Sequence, residues 1–303
     1  KNASFLMVAA LISKIIGMIY KSPLSSLLGR ESFACFQFAQ NVYFILLMIA
    51  SFSIPQAVSK IMSERIAFKR YRDAQRVVKG ALLYAVIAGG IVALICVFGA
   101  SILVPDSVAN ARLALQMLAP TIFISGILGV FRGYFQAYRN MMPTSISQIV
   151  EQIAVAVVAL LMANFMVNHF AGAGEDTLQR WSAAGATIGT GAGVTAALLF
   201  MLFVYSVNRK TINRRIARDK VSVDESYQQV MRNIVLIVAP IILSAFIYNV
   251  NGYINGVMYT SISDFRGMDN SQVKVLYAEF GFFMISLIAF RFCRDSMPHG
   301  SVC

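Results

Sequence analysis

Long apolar stretches separated by short polar segments make up most of this chain. A helix needs about 20 mostly apolar residues to cross a bilayer. We identify eight candidate spans, at residues 3–28, 33–62, 80–104, 111–136, 143–168, 182–207, 233–260 and 275–291. The second is too long for one straight helix, and Pro55 predicts a bend in it, because proline lacks the backbone N–H that a helix interior uses. The pattern predicts an all-α integral membrane protein with about eight transmembrane helices.

Composition and charge agree with this class and indicate an orientation. Of the 303 residues, 58% are hydrophobic and 13% are charged, whereas a soluble domain has about 25% charged residues. The net charge of +12 is concentrated in two links, 60–79 and 208–220, while the intervening loops are short or acidic. Because cytoplasmic loops are enriched in Lys and Arg, we expect both links and the N-terminus to be cytoplasmic. Topology accounts for the positive charge, so we expect no nucleic-acid partner.

The link at 208–232 is the longest polar segment, and it divides the chain. Residues 1–207 are then a six-helix lobe, and 233–291 are the first two helices of an incomplete second lobe. Within the cytoplasmic link, residues 208–220 predict a basic amphipathic helix on the membrane surface, which either positions the lobes or senses lipid headgroups. Residues 292–303 show no periodicity, and we expect them to reflect a truncation or a frameshift.

Two lysines lie inside the first span. Lys14 and Lys21 are seven residues apart, so they share one face of a helix. A charge in lipid is costly, and intramembrane lysines therefore usually face a water-filled cavity or a partner. Gly17 lies between them and leaves room beside their side chains. This cationic face predicts a cavity that receives a negatively charged group.

Further polar side chains lie in the fourth and fifth spans. Span five has one polar face, made of Thr144, Ser147, Gln148, Glu151 and Gln152. A carboxylate inside the membrane, such as that of Glu151, indicates a functional role by default. It binds a cation, carries a proton, or forms an ion pair. Such a pair either lines the cavity or only fixes the packing of the helices. The candidate partners of Glu151 are Lys14, Lys21 and Arg132. Arg132 itself either snorkels from span four to the interface or faces the cavity as a gate charge.

Small residues predict where helices pack closely or bend. Span six has glycines at strict spacings of four, which are Gly185, Gly189 and Gly193. Such a stripe lets two membrane helices approach closely, and we interpret it as packing. Span seven has Pro240 near its start, where proline loosens the helix. Further along, this span has a polar face that lies beside a packing or hinge surface. The polar face includes Asn251 and Asn255, and the packing surface is formed by Gly252 and Gly256.

No catalytic constellation stands out in the sequence. His169 and His299 have no ligand-like neighbours, and the four cysteines lack metal-site spacing. The sequence has no Gly-rich phosphate loop and no Ser–His–Asp set that would converge. The polar residues instead spread over several spans, as in a translocation path. We therefore expect a transporter rather than an enzyme, with no metal and no cofactor.

Several of these residues lie in segments that resemble a known family. The segments are Ser13–Gly17, Tyr20–Leu24, Ile54–Lys60, Phe131–Gln136, Asn140–Thr144 and Ser147–Gln152. They resemble bacterial polysaccharide-biosynthesis transporters, in particular the Gram-positive branch of lipid II flippases and stage V sporulation protein B. That branch belongs to the multidrug/oligosaccharidyl-lipid/polysaccharide exporter superfamily. The resemblance covers most of residues 3–290 and stops at the tail.

The resemblance implies a MATE-like fold, in which two bundles of six helices surround a central cavity. This chain then contains the first lobe and the start of the second. The resemblance also implies alternating access, with Lys14 at the position of the family's cavity-lining basic residue. Where the Gram-negative flippases carry an Arg-Asp pair, this sequence has Tyr20 and Lys21, so their charge mechanism does not transfer.

These features predict a monomeric flippase in a bacterial cell membrane. The expected partners are membrane lipids and a cargo that is a polyprenyl-diphosphate-linked oligosaccharide or a cell-wall precursor such as lipid II. Lys14 and Lys21 are assigned to the diphosphate. The side chains assigned to the sugar are Gln148, Gln152, Asn251 and Asn255.

Two questions stay open at this point, the driving force and the class of function. Na⁺, H⁺ and the membrane potential are equally compatible with the sequence as driving forces. One alternative function is a cation-coupled exporter of drugs or metabolites on the same fold, with Glu151 as its coupling site. The other is a non-transporting membrane scaffold or an inactive fragment.

Overall fold

The computed structural model describes residues 2–217, 219, 221–223, 226–243 and 258, and it describes the side chains of all of these except 2–6, 52 and 107. Regular structure in this part of the chain is helical. The α-helices are α1 (Asn2–Ile19), α2 (Lys21–Leu47), α3 (Ile54–Ala67), α4 (Tyr71–Phe98), α5 (Ala100–Leu103), α6 (Ala111–Ala137), α7 (Met142–His169), α8 (Glu175–Ala217) and α9 (Tyr227–Leu243). A π-helical turn (Met48–Phe52) joins α2 to α3, and a 3₁₀ turn (Asp106–Val108) precedes α6.

Five helical stretches among the described residues are long and apolar enough to cross a membrane, and the first extends from Met7 to Ala67. Gly29 divides that stretch into two passes. Its φ of 75° and ψ of 166° are not helical, and glycine adopts a positive φ without a Cβ penalty. Before Gly29, the chain lines a groove with residues of α7, whereas after it Glu31 and Gln40 form hydrogen bonds with side chains of α8. The chain therefore makes six passes up to Ala217, and the all-α membrane fold is confirmed.

The α-helical path of the second pass is interrupted at the junction of α2 and α3, where the sequence predicts a bend. The backbone there runs through the π-helical turn and Ser53, and Pro55 lies in the first turn of α3, where its missing N–H removes no helical hydrogen bond. Pro55 also faces α6, because a Cβ on Gly133 would lie 2.7 Å from the Pro55 carbonyl oxygen. This junction is therefore packed closely against the backbone of α6.

The glycine stripe of α8 packs against α7. A Cβ on Gly189 would lie 2.5 Å from Ala159 Cβ, and one on Gly193 would overlap Val155 Cγ2. Gly185 packs on the same helix in the same way. Ascending positions on α8 meet descending positions on α7, so the two helices are antiparallel. The stripe is therefore a packing surface, which is the interpretation given by its spacing.

Helix α8 is much longer than the predicted sixth span. It has 43 residues, which corresponds to roughly 64 Å at 1.5 Å per residue and is about twice the thickness of the hydrocarbon core. Its last turns include residues 208–217, for which the sequence analysis predicts a separate surface helix. That prediction is wrong, because no Gly or Pro interrupts residues 194–217 and the basic segment continues the sixth pass. The polar link is correspondingly shorter, since α9 begins at Tyr227.

Contacts between connecting segments define the two ends of the bundle. The α3–α4 loop, the α6–α7 turn and the C-terminal part of α8 form what we call the basic end. There, Arg215 lies 5.1 Å from the centre of the Tyr138 ring. At the opposite end, Asn110 Nδ2 donates to Asp176 Oδ1 at 3.1 Å. Both basic links identified in the sequence begin at the basic end.

Candidate functional site

An ion pair joins the fourth and fifth passes inside the bundle. Arg132 Nη2 of α6 and Glu151 Oε2 of α7 are 2.7 Å apart, and the two side chains are 16% and 20% exposed. Arg132 Nε donates to Ser147 Oγ at 3.0 Å, and Ser147 Oγ donates to Thr144 O at 2.7 Å. Ser147 and Glu151 are four residues apart on one helix face, so α7 holds the guanidinium at two points. Of the partners considered for Glu151, the structure selects Arg132.

The contacts of the pair also bear on the two interpretations of Arg132. Arg132 lies five residues before the end of α6 at Ala137, roughly 8 Å along the helix axis. A snorkelling arginine directs its head group toward the interface. Here the head group instead bonds to α7 side chains within the bundle. Arg132 is therefore an interhelical residue of the bundle, and these contacts favour a role between the helices over snorkelling.

Helix α1 lies along α7 in parallel. A Cβ on Gly17 would lie 3.2 Å from Gln152 Oε1. Residues that lie side by side on the two helices therefore differ by 135 in residue number, and we call this difference the offset. Further along the same two segments, a shallow groove brings together first-pass and α7 residues that differ by a similar number. It is lined by Pro23, Ser26, Leu27, Leu160, Leu161 and Asn164. One turn before Gly17, Ser13 therefore comes level with Gln148. Ser13 Oγ and Gln148 Oε1 are buried, and neither has a hydrogen-bond partner among the described residues.

The two lysines of the first pass lie beside this contact. The inward side of the pass includes Ser13, Tyr20 and Leu24, none of which is more than 9% exposed. Lys14 is exposed and Lys21 is half-buried. Gly17 differs from the expectation, because it contacts Gln152 of α7 instead of leaving room beside the lysines. The pass thus presents cationic side chains next to the polar face of α7.

Some polar contacts were not anticipated from the sequence. Gln40 Nε2 of α2 donates to Thr190 Oγ1 of α8 at 2.8 Å. Near the basic end, the rings of Tyr134 and Tyr205 are 5.3 Å apart, and Gln75 Nε2 donates to Tyr205 Oη at 3.0 Å. A single glutamine in an apolar span can be recognised from the sequence. The identity of its hydrogen-bond partner cannot be predicted in this way, because the contact depends on the rotation of two helices that are distant in sequence.

The second-lobe candidates were assigned from the sequence alone. Asn251, Asn255, Gly252 and Gly256 lie outside the described residues, as do the eighth span and the tail. Pro240 lies within α9 and is exposed. The site that the structure describes is therefore the part formed by the first pass, α6 and α7.

The helical bundle matches a known class of membrane transporter fold. A solved structure titled as the inward-facing conformation of a multidrug resistance MATE family transporter of the MOP superfamily aligns with a TM-score of 0.68 and 14% identity. The alignment covers 95% of this chain and 62% of that chain. Identity this low establishes the fold alone. The protein is thus a multi-pass membrane protein with a MATE-like bundle, as the sequence predicts.

The polysaccharide biosynthesis protein family model matches residues 1–266, and the chain belongs to that family. Lipid II flippase MurJ of Bacillus subtilis (strain 168) is 29% identical over 209 residues, covering 66% of this chain and 37% of the relative. Stage V sporulation protein B of the same organism is 24% identical over 295 residues, covering 95% of this chain and 54% of the relative. The chain therefore spans between 37% and 54% of the length of these relatives. The resemblance found in the sequence motifs is confirmed.

Proposed function

We propose that this chain forms the first lobe of a flippase. Its cargo is a lipid-linked sugar diphosphate such as lipid II, which alternating access moves from the cytoplasmic to the outer face of a bacterial membrane. The observation that carries the proposal is the pair of lysines on the first pass beside the polar face of α7. Family membership supports it, as does the relative named as a lipid II flippase. The basic end is then cytoplasmic by the positive-inside rule.

The side chains of the site suit such a cargo. Lys14, Lys21 and Arg132 carry three positive charges and Glu151 carries one negative charge, so the four sum to +2. Ammonium groups bind phosphate as compact point charges. Amide side chains such as Gln148 supply both donors and acceptors to sugar hydroxyls, while the lipid tail stays in the bilayer. The membrane potential and gradients of H⁺ or Na⁺ are the candidate driving forces.

The alternative, a cation-coupled exporter of drugs or metabolites, has less support. It requires Glu151 to bind and release a cation. In the structure that carboxylate accepts a charge-assisted hydrogen bond from Arg132 at 2.7 Å, and the neighbouring positive charge repels a second cation. The exposed Lys14 on the first pass also disfavours a cationic cargo.

Removal of the Lys14 charge tests the proposal. The protein, expressed from its complete gene and reconstituted in vesicles, would be assayed for flipping of a fluorescent polyprenyl-diphosphate sugar. We expect Lys14→Ala to reduce the initial flipping rate at least tenfold and Lys14→Arg to retain most of it. Lys79→Ala is the matched control, because Lys79 is an exposed lysine on α4, outside the site.

Three outcomes would contradict this proposal. Near-normal flipping by Lys14→Ala would show that the first-pass lysines do not bind the cargo. No flipping by the unmodified protein, together with efflux of a cationic dye under an ion gradient, would favour the exporter. No transport of either probe by a folded, inserted protein would favour a scaffold.

A further inference from the structure

The polar link after α8 folds back onto the start of α4. Asp219 Oδ2 accepts a hydrogen bond from the backbone N–H of Arg72 at 2.7 Å and another from Ser222 Oγ at 2.6 Å. Asp219 Oδ1 accepts from the backbone N–H groups of Val221 and Ser222 at 2.9 and 3.0 Å. One carboxylate therefore organises the link and binds it to a helix that lies 147 residues earlier in the chain.

A second carboxylate makes the reciprocal contact. Asp73, in the first turn of α4, accepts from the backbone N–H of Val223 at 3.1 Å and from Arg70 Nε at 2.8 Å. Asp73 is 0% exposed and Asp219 is 5% exposed. Together, Asp73, Asp219 and Ser222 form what we call the clasp. Each carboxylate accepts a main-chain hydrogen bond from the other segment.

The unpaired backbone N–H groups at the start of α4 explain why the clasp forms at this place. The first N–H groups of a helix have no intrahelical partner, and the N-cap residue of α4, Arg70, provides no side-chain cap. Asp219 supplies the missing acceptor from the link, and a carboxylate there also interacts favourably with the helix dipole. Burial alone would raise the pKa of Asp219, but the hydrogen bond from Ser222 Oγ and those from backbone N–H groups hold it below its ordinary value.

The first turns of α9 continue the same contact. Val230, Ile234 and Val238 are at most 2% exposed and belong to the apolar core that includes residues of α3 and α4. A Cβ on Gly80 would lie 3.0 Å from Val230 Cγ1 and 3.9 Å from Val230 Cβ. The link and the start of α9 are thus fastened to α4 by buried carboxylates and by apolar packing.

We propose that the clasp keeps the link and the first turns of α9 attached to the first lobe throughout transport, so that they move with this lobe as one body. The polar composition of residues 208–232 instead predicts a lobe boundary within the link. The inference rests on the proposed function in one respect, which is that transport involves movement of lobes. The attachment itself is read from the structure.

A disulfide between Gly80 and Val230 provides a direct test. Their Cβ separation of 3.9 Å lies within the usual range of about 3.5–4.5 Å for disulfides. The double variant Gly80→Cys/Val230→Cys would be made in a background with the native cysteines replaced. We expect fast and complete cross-linking in vesicles, at rates that differ less than twofold with and without imposed ion gradients. The oxidised protein should flip cargo at more than half the rate of the reduced protein.

The clasp residues are tested in the same assay. We expect Asp219→Ala to slow cross-linking at least fivefold, because the link loses its attachment to α4. Glu64→Ala is the matched control, since Glu64 is an exposed carboxylate near the basic end, and it should leave the rate unchanged. An unchanged rate in Asp219→Ala would show that the clasp does not hold the link.

Other outcomes separate this inference from the proposed function. Loss of flipping on oxidation, reversed by a reductant, would show that the link must leave α4 during transport and would overturn the inference. A rate that changes more than tenfold with the gradient would also overturn it. Absence of flipping before oxidation would refute the proposed function, while the cross-linking rates would still decide whether the attachment persists.

Discussion

The ion pair between Arg132 and Glu151 permits a quantitative test of its role. Two unit charges roughly 4 Å apart attract each other by about 4 kcal/mol at an effective dielectric constant of about 20, and breaking a buried pair costs about 3–5 kcal/mol. The side chains here are 16% and 20% exposed, so solvent weakens the interaction somewhat. We therefore expect Glu151→Gln to lower the free energy of unfolding by about 2–3 kcal/mol, because it leaves the guanidinium without a counter-charge.

A double-mutant cycle and thermal unfolding in detergent would measure this interaction. We expect Arg132→Gln/Glu151→Gln to be less destabilised than the sum of the single variants, with a coupling of about 2 kcal/mol. Asp106→Asn is the matched control, because Asp106 pairs with Arg112 while its side chain is 96% exposed, and such surface pairs contribute about 0–1 kcal/mol. Additive single variants would refute the reasoning, since the two charges would then not stabilise one another.

Exchanging the two charges separates packing from transport. The variant Arg132→Glu/Glu151→Arg should recover most of the stability, because opposite charges still meet between α6 and α7. We expect it not to recover flipping, since the arginine would no longer bond to Ser147 and the cation would move to another helix. Full recovery of the flipping rate would show that the pair only fixes helix packing.

Two further predictions concern packing and pH. Gly189→Ala should destabilise the protein by about 1–3 kcal/mol through overpacking against Ala159. The control Gly90→Ala should be neutral or stabilising, because a Cβ at Gly90 meets nothing within 4 Å. Equal melting temperatures for the two variants would contradict this prediction. Because the pKa of Asp219 is below its ordinary value, its contribution is complete above the unfolded-state pKa, declines as pH falls below that value and is lost once pH passes the lower folded-state pKa. Asp219→Asn should therefore reduce the melting temperature less at pH 3 than at pH 7, and an equal reduction at the two pH values would show an ordinary pKa.

The fold was predictable because the membrane restricts it strongly. A bilayer sets the length of each pass and requires helical backbone, so apolar runs identify the spans. Local residue chemistry then locates the special points. Pro55 marks the junction of α2 and α3, and the spacing of Gly185, Gly189 and Gly193 marks a packing surface. The extension of α8 was not recognised, because a polar end looks like a separate element although nothing in its backbone interrupts the helix.

The site was only partly predictable, because its contacts depend on helix rotation. The sequence gives Glu151 three basic candidate partners and offers no means of choosing among them. The choice of Arg132 follows from the rotation of α6 and α7, which bulky and small side chains set together. The clasp was missed entirely, since Asp73 and Asp219 look like solvated charges in basic loops. Their burial arises from the way the link returns to α4, and hydrogen bonds over such sequence distances leave no periodic signal.

The contact between Arg132 and Glu151 has a consequence for how the site would attract an anion. Because the two charges are only 2.7 Å apart, the carboxylate cancels much of the electric field of the guanidinium at longer distances. The pair is therefore mainly a fixed polar contact between two helices. Lys14 is on another helix, and with the offset of 135 residues it lies level with residue 149 of α7. If the cargo is the proposed diphosphate, we therefore expect the lysines of the first pass to contribute most of its attraction to the site. For this reason Lys14→Ala tests cargo binding, whereas Glu151→Gln tests packing and also exposes an additional positive charge to the cargo.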